Sequence, residues 1–261
     1  MEIKDFKDYI PLDKSWMIRM GVLDVLNNYF DIISFLHTQR EDFLGDDLKD
    51  LRRACGAWNS DDPIELESAT LYRFIQFASW KLGLNKKLVK KGTLKERPIC
   101  NDPNIVKLPL EELLKLDECT SQWASASVLC GNQEKIKDSP YKLKLSYEAV
   151  DHWNSQRSQD FARAFGWISK EEGAKRWHSL AGHESNRLEA MEFYIDKLNH
   201  GVEIDSKYHR VVQSIAMFAE SQHKAVDFTY PNCVNKSWPQ FWDFLEVSRW
   251  LESPYSSKVH Q

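Results

Sequence analysis

The segment ESATLYRFIQFASWKL, residues 67–82, decides which fold class the sequence predicts. Its apolar residues recur at intervals of three and four, which is the spacing of one face of an α-helix. The residues on that face are Leu71, Phe74, Ile75, Ala78 and Leu82. Ser68 and Thr70 stand just before it, and hydroxyl side chains are favoured at helix N-caps. The segment therefore predicts a helix that begins near Ser68 and buries one face.

Similar helical spacing occurs in other parts of the chain. The apolar positions are Ile18, Val22, Val25, Leu26 and Tyr29; Leu188, Met191, Ile195 and Leu198; Val211, Ile215 and Phe218; and Phe241, Phe244 and Leu245. Between these helices, residues 143–147, 201–205 and 225–230 have patterns typical of short strands. Helices that alternate with short strands indicate an α/β layered fold. No strong internal repeat is visible in the sequence.

The composition excludes several classes of protein. A chain of 261 residues with 42% apolar content can bury a core, as one large domain or two smaller ones, so a disordered protein is excluded. The net charge of −4 argues against general nucleic-acid binding, which normally needs a basic surface. No apolar run approaches the ~20 residues of a membrane span. We therefore expect a soluble protein without a nucleic-acid or membrane partner.

The spacing of cysteines and histidines bears on compartment and metal binding. The five cysteines are scattered and form no CxxC pair, which is typical of free thiols in a reducing compartment. The first residues are charged and lack the apolar centre of a signal peptide, so we expect a cytoplasmic protein. The eight histidines show no HxxxH or HExxH spacing. The sequence therefore predicts no metal site.

Two lysines stand where helix starts are predicted. Lys14 and Lys236 are each followed by a serine, which is an ordinary N-cap, but the helix macrodipole disfavours a cation at that position. A cation beside free helix-terminal N–H groups suits a phosphate or a carboxylate. Arg19 and Arg73, one turn into their helices, add to this pattern. The chain is expected to bind small anions, with ordinary capping and surface ion pairs as the alternative.

Seven segments resemble, in the same order, motifs of the 5-enolpyruvylshikimate-3-phosphate (EPSP) synthases. The segments are IPLDKS at 10–15 with Arg19 following, SATLYRF at 68–74, KERPI at 95–99, TSQ at 120–122, ESNR at 184–187, HR at 209–210 and CVNKSWP at 233–239. The resemblance extends from residue 10 to residue 239. Glu67 and Ala69 depart from it, because the family has Asn and Gly at these positions.

The resemblance implies a two-lobed enolpyruvyl-transferase-like α/β fold of βαβαββ units. The chain is much shorter than the family's usual length, and most of the missing length falls between Ser139 and Glu184, so one or two units are expected to be missing or reduced. The implied first lobe comprises residues 1–12 and 151–261, and the second lobe comprises residues 13–150.

The resemblance also implies an activity. Family members transfer the enolpyruvyl group of phosphoenolpyruvate to a hydroxyl of a phosphorylated cyclic acid, such as shikimate 3-phosphate, and release phosphate without metal or cofactor. This reaction belongs to the shikimate pathway of aromatic amino acid biosynthesis. The expected partners are therefore these small phosphorylated substrates, and the expected state is a monomer.

Site residues are carried over from the matching motifs. Catalytic roles fall on Lys14, Glu184, Asp160 and Lys236. Substrate-binding roles fall on Ser15, Arg19, Ala69, Thr70, Arg73, Arg97, Thr120, Ser121, Gln122, Ser139, Arg187, His209 and Arg210. Within this set, Glu184 is the implied proton donor, and Asp160 stands in for an aspartate that has no clear match. The planar fork of Arg suits the carboxylates and phosphates of both substrates.

Two alternatives stay open at this stage. The first is a catalytically lapsed relative that keeps the anion pocket, which the compact middle segment and the unmatched aspartate favour. The second is a transferase with a different acceptor, which Glu67 favours because an ionised carboxylate accepts hydrogen bonds and repels anions.

Overall fold

The computed structural model describes residues 9, 11–28, 31–113, 115–116, 121–131, 169, 171 and 187–252. The described chain is mixed α/β but mostly helical. Its α-helices are α1 (Lys14–Asn27), α2 (Asp31–Thr38), α3 (Asp46–Gly56), α4 (Ala69–Lys81), α5 (Leu110–Leu113), α6 (Ser121–Cys130), α7 (Arg187–Asn199), α8 (His209–Ser221) and α9 (Phe241–Glu252). Short 3₁₀ helices span Glu41–Phe43, Gly92–Glu96, Pro103–Lys107 and Pro231–Lys236.

The helices begin where local capping chemistry allows. Asp13 caps α1, because its side chain accepts a hydrogen bond from the N–H of Trp16 at 3.0 Å. Ser68 caps α4 in the same way, through the N–H of Leu71. The apolar stretches singled out in the sequence form helices α1, α4, α7, α8 and α9, so the prediction of helices there is confirmed. Two of their residues are exceptions: Leu82 follows the end of α4, and Tyr29 lies outside the described residues.

The sheet is small and lies in front of α4. Strands β1 (Ile64–Leu66) and β2 (Leu88–Lys90) pair in parallel, with Ile64 opposite Leu88. The first and last residues of β1 are buried, whereas Glu65 between them is exposed, as expected of a strand with one face on the core. This β1–α4–β2 arrangement directs the N-terminus of α4 to the edge of the sheet where β1 ends.

Two regions of apolar packing hold the helices. One joins α1, α3, α4 and α6, and its fully buried side chains include Ile18, Leu51, Phe74 and Trp123. The Trp123 indole stacks on that of Trp80, with ring centroids 6.0 Å apart. The other region joins α7, α8 and α9 in two adjoining clusters. Burial of this kind contributes about 25 cal/mol per Å² of apolar surface, so packing rather than the short sheet stabilises the fold.

An internal repeat relates the two regions. Helix α8 starts and ends 140 residues after α4, and the parallel bridge between Ile204 and Phe228 lies at the same shift from the pair Ile64 and Leu88. Each bridge is followed by a 3₁₀ helix, and these end at Glu96 and Lys236, again 140 residues apart. We call residues 64–97 the first unit and residues 204–237 the second unit.

Backbone hydrogen bonds follow the same shift. The N–H of Leu84 donates to Ser79 O at 2.8 Å, and the N–H of Lys224 donates to Ala219 O at 2.9 Å. The residue before each donor has positive φ: Gly83 at 67° and His223 at 52°. The two units thus share their turns as well as their helices, although the sequence shows no clear repeat.

The second unit has less sheet than the sequence predicts. Residues 201–205 and 225–230 are not extended strands; they meet only in the single bridge at Ile204 and Phe228. In the first unit the N–H of Lys91 donates to Leu66 O at 2.8 Å and prolongs the pairing. The matching residue of the second unit is Pro231, which has no N–H to donate. The third strand-like stretch, residues 143–147, lies outside the described residues.

None of the described helices is long and apolar enough to cross a membrane. The predicted α/β class holds in its coarse form, as helices packed with a two-stranded parallel sheet.

Candidate functional site

Three cationic side chains from distant parts of the chain come together at one place. Lys14 is the first residue of α1, Arg97 follows the 3₁₀ helix of the first unit, and Lys236 ends the 3₁₀ helix of the second unit. Lys14 and Arg97 are each close enough to Lys236 to lower its pKa. We call these three residues the cation site.

The buried carboxylate of Asp47 lies among the lysines. Asp47 is in the first turn of α3, and its Oδ2 is 2.7 Å from Nζ of Lys14. Its side chain is 4% exposed and is also hydrogen-bonded by Ser68. Burial acts to raise the pKa of Asp47, but the charges of Lys14 and Lys236 and the hydrogen bonds outweigh burial, so the pKa is lowered. Asp47 is therefore ionised at neutral pH.

Lys236 is half-buried, and the backbone around it packs against the start of α3. A Cβ placed on Gly45, the N-cap of α3, would lie only 3.0 Å from Lys236 O, so a side chain there would displace this backbone by a few tenths of an ångström. Burial lowers the pKa of Lys236, and the neighbouring Lys14 and Arg97 lower it further, while Asp47 and Asp46 act in the opposite direction. The ammonium group gives up its proton more readily than an exposed lysine does.

The sequence placed Lys236 at the start of a helix, and that prediction is wrong. Lys236 is the last residue of the Pro231–Lys236 3₁₀ helix, and α9 begins only at Phe241. Pro231 sits at the start of the 3₁₀ helix, where a missing N–H costs nothing. A cation at the end of a helical turn is also electrostatically favoured, so no ligand is needed to explain Lys236 on that ground alone.

Arg97 is exposed, but its backbone is fixed. Its N–H donates to Leu94 O at 3.2 Å, and Nζ of Lys90 donates to its carbonyl at 3.0 Å. Within the described part of the chain, neither Arg97 nor Lys236 forms an ion pair. The two side chains can therefore pair with a ligand without breaking an existing salt bridge.

A second group of predicted residues forms a hydrogen-bonded network at the start of α4. Nη1 of Arg73 donates to Oε1 of Gln122 at 3.0 Å, and Nε2 of Gln122 donates to Oγ1 of Thr70 at 2.9 Å. Arg73 is 2% exposed and also donates to Ala69 O. The network fixes Thr70 and Gln122 beside the N-terminus of α4, where the helix macrodipole favours negative charge.

Arg19 is a residue of α1, and its side chain is buried. Its guanidinium donates to Ser15 O at 2.9 Å and to Oγ of Ser125 at 2.7 Å, and it lies over the ring of Phe74. Arg19 thereby fixes the first turn of α1, which carries Lys14 and Ser15. In this arrangement Arg19 holds residues of the site in place through its hydrogen bonds.

The remaining predicted site residues lie at the starts of other helices or outside the described residues. His209 and Arg210 form the half-buried first turn of α8, which in the second unit matches the start of α4. Ser121 begins α6 and Arg187 begins α7, and only their backbones are described. The residues outside the described ranges are Thr120, Ser139, Asp160 and Glu184.

Sequence reasoning missed Asp47, which is the centre of the cation site. Two acidic residues, Asp46 and Asp47, follow Gly45, and acids in a first helical turn are the ordinary complement of the macrodipole. The only signal was that one of the pair falls on the buried face of α3, at the interval of Leu51 and Ala54.

The described residues include no group of three or more His, Cys, Asp or Glu side chains arranged to hold a metal ion. Comparison of this chain with protein-family models, with curated proteins and with solved structures found no match. The chemistry of the site therefore rests on its own side chains: Lys14 and Lys236 beside the carboxylate of Asp47, with Arg97 near Lys236. Among the described residues, Arg97 and Lys236 have no ion-pair partner.

Proposed function

We propose that the chain transfers the enolpyruvyl group of phosphoenolpyruvate to a hydroxyl of a phosphorylated cyclic acid such as shikimate 3-phosphate. The observation that carries the proposal is the convergence of Lys14, Arg97 and Lys236. Phosphoenolpyruvate carries its phosphate and its carboxylate on the same carbon, so it needs several cations within a few ångströms. Three cations against the carboxylates of Asp47 and Asp46 leave a net positive charge that suits such an anion.

The reaction makes defined demands on these groups. The acceptor hydroxyl gives its proton to a base and its oxygen bonds to C2 of phosphoenolpyruvate, while the methylene gains a proton from an acid; then the new methyl group loses a proton and the bond between C2 and the phosphate oxygen breaks. An acid must supply the first proton, and cations must stabilise the departing phosphate. Lys236 suits either role, because its lowered pKa brings proton transfer closer to neutral pH. Lys14 would hold the phosphate from the other side.

The acceptor would lie toward the start of α4. Thr70 and Gln122 are held there by Arg73, and Ser15 lies on the adjacent first turn of α1. Their hydroxyl and amide groups can donate to a phosphate, and the N-terminus of α4 favours negative charge nearby. Glu184 and Asp160 would complete the acid–base set.

The finer description of the fold is part of the proposal. We infer a two-lobed arrangement in which each lobe is built of repeated units. The internal repeat supports this view, because a shift of 140 residues relates two similar β–α–β segments whose 3₁₀ helices end near the cation site.

A different acceptor is the second candidate, and Glu67 favours it. The Glu67 side chain is exposed and lies against Gly92, where an added Cβ would be 2.9 Å from its Oε2. This carboxylate precedes the α4 cap and can accept hydrogen bonds from hydroxyl groups of an acceptor. It would repel an anionic group at the same place.

Isothermal titration of the purified protein with phosphoenolpyruvate tests the anion site, and phosphate release on adding shikimate 3-phosphate tests the reaction. We expect binding that is lost in Lys14→Gln and Lys236→Gln. Binding without phosphate release would indicate a lapsed enzyme or another acceptor. No binding of phosphoenolpyruvate by the intact chain would refute the proposal.

A further inference from the structure

A second buried carboxylate stands one helical turn from Asp47. Asp50 is 2% exposed and lies on the same face of α3, three residues further on. Its Oδ2 accepts hydrogen bonds from the N–H of Glu67 at 2.7 Å and from the N–H of Ser68 at 2.8 Å. Its Oδ1 accepts from the guanidinium of Arg53.

These contacts join α3 to the turn between β1 and α4. The two N–H groups belong to the residues that follow β1, where the chain leaves the sheet and enters the helix. Buried N–H groups need a partner, and Asp50 supplies one acceptor for both. The turn can shift only if this carboxylate shifts or loses its hydrogen bonds.

Ser68 carries the effect onward to the cation site. It is fully buried, accepts the N–H of Leu71 as the cap of α4, and is hydrogen-bonded to the carboxylate of Asp47. Both the donor and an acceptor site of its hydroxyl are thus in use. The contact with Asp47 depends on where the backbone of Ser68 is held, and Asp50 holds it.

In the second unit, the matching turn has a different acceptor for one of its two N–H groups. There the residue matching Ser68 is Tyr208, whose N–H is accepted by Oγ of Ser206 at 3.2 Å. A neighbouring hydroxyl contacts the turn in the second unit, whereas the first unit uses a charged group whose burial costs free energy.

We propose that Asp50 is a positioning residue for the cation site. It fixes the turn between β1 and α4 so that the Ser68 hydroxyl remains hydrogen-bonded to the carboxylate of Asp47. Asp47 then remains between the two lysines and sets their separation. Asp50 touches no ligand itself. As far as ligand binding is concerned, this proposal rests on the anion-binding function proposed above, but the placement of the lysines can be measured without any ligand.

Four variants separate the acceptor role of Asp50 from its charge. Asp50→Ala removes the acceptor, whereas Asp50→Asn keeps an oxygen for the two N–H groups and removes the charge. Arg53→Gln removes the other partner of Asp50 and leaves the turn alone. Ser68→Ala leaves Asp50 in place and cuts the contact with Asp47.

The primary measurement is the titration of Lys236 by NMR of the protein with isotopically methylated lysines, with Lys236→Arg used to assign the signal. We expect the pKa of Lys236 to fall in Asp50→Ala and Ser68→Ala, because Asp47 is no longer held beside it. Asp50→Asn and Arg53→Gln should titrate as the unaltered protein does. Phosphoenolpyruvate binding should follow the same division, with a loss of about tenfold for the first pair, the effect of roughly one hydrogen bond to a charged group.

An unchanged Lys236 titration in Asp50→Ala overturns the proposal, and so does an equal shift in Asp50→Asn, which would make charge the cause. If Asp50→Ala does not fold, Ser68→Ala decides in the same way. Failure of the intact protein to bind phosphoenolpyruvate would refute the proposed function. The titration of Lys236 would still test whether Asp50 positions the cation site, because it needs no ligand.

Discussion

Nζ of Lys14 lies 2.7 Å from Oδ2 of Asp47, and this contact joins the first residue of α1 to the first turn of α3. A lysine at a helix N-terminus is electrostatically unfavourable, whereas an aspartate there is favourable. Because Asp47 is buried and ionised, it offsets the cost of placing Lys14 at that end. The arrangement holds a cation where unpaired helix N–H groups also attract anions.

Asp47→Asn should destabilise the protein. The variant removes the charged partner of Lys14 and leaves two lysines close together, so we expect the free energy of unfolding to fall by about 1.5–3 kcal/mol, the usual range for a hydrogen bond to a charged group. Urea unfolding followed by circular dichroism measures it. The control is Asp46→Asn in the same turn, which removes an exposed charge and should change the free energy by less than about 1 kcal/mol. Equal effects in the two variants would contradict the central role of Asp47.

The same contact should weaken in acid. The pKa of Asp47 is lowered in the folded protein from an ordinary value of 3.8, so its stabilising effect is complete above that value. The effect is then lost as pH falls through the folded-state pKa. The difference in unfolding free energy between the protein and Asp47→Asn should therefore be constant from about pH 8 to 5 and should shrink below about pH 4. A difference that shrinks instead as pH rises toward 8 would assign it to another group.

Asp24→Asn should have the opposite sign. Asp24 is buried, and burial raises its pKa above 3.8, with Asp31 raising it further against the opposing hydrogen bond from the N–H of Ile32. The ionised form is therefore disfavoured in the folded state, and asparagine keeps an oxygen for the Ile32 N–H. We expect a higher urea midpoint at pH 7. The gain should fade as pH falls through the raised folded-state pKa and should be lost below 3.8, where the carboxyl is protonated in both the folded and the unfolded state. A lower midpoint at pH 7 would show that the charge stabilises α2.

The sequence predicts the helices well and the site only in part. The apolar spacing that starts at Leu71 is a local property, so it defines α4 without reference to the rest of the chain. Asp47 was missed because its burial depends on Lys14, Ser68 and Lys236, which are far away in the sequence. No local pattern distinguishes it from an ordinary acid in a first turn.

The repeat was missed for a related reason. Equivalent helical positions of the two units carry different side chains, such as Arg73 and Gln213, or Phe74 and Ser214, while the turns keep the same backbone hydrogen bonds. The backbone geometry is shared, but the packing partners differ, so sequence identity between the units is low. The strand prediction for residues 225–230 was wrong because Pro231 cannot extend the pairing.

Gly92→Ala should test the packing of Glu67. Gly92 has φ +50°, and a Cβ would lie 2.9 Å from Oε2 of Glu67. Gly83 has φ +67° with open space around it, so Gly83→Ala incurs only the cost of a left-handed backbone, about 1–2 kcal/mol. We expect Gly92→Ala to lower the free energy of unfolding by this backbone cost and by an extra cost for displacing the Glu67 side chain. In a Glu67→Ala background the extra cost should vanish. A cost for Gly92→Ala below that of Gly83→Ala would contradict the close approach.

Arg97→Gln should weaken anion binding without destabilising the fold. Arg97 is exposed and, within the described residues, has no ion pair, so its removal should leave the urea midpoint unchanged. Its charge lowers the pKa of Lys236, so the guanidinium is close enough to Lys236 to act on it. Removing one charge-assisted contact should weaken phosphoenolpyruvate binding by about 1.5–3 kcal/mol, or roughly ten- to a hundredfold in Kd.

The matched control for net charge is Lys95→Gln. Lys95 is an exposed cation of the Gly92–Glu96 3₁₀ helix that precedes Arg97, and its removal should change Kd by less than about threefold. Titration calorimetry at two salt concentrations separates the two, because a long-range effect of charge weakens as salt is added, whereas a direct contact is screened less. An Arg97→Gln variant that binds phosphoenolpyruvate as tightly as Lys95→Gln does would remove Arg97 from the site and leave the two lysines to hold the ligand.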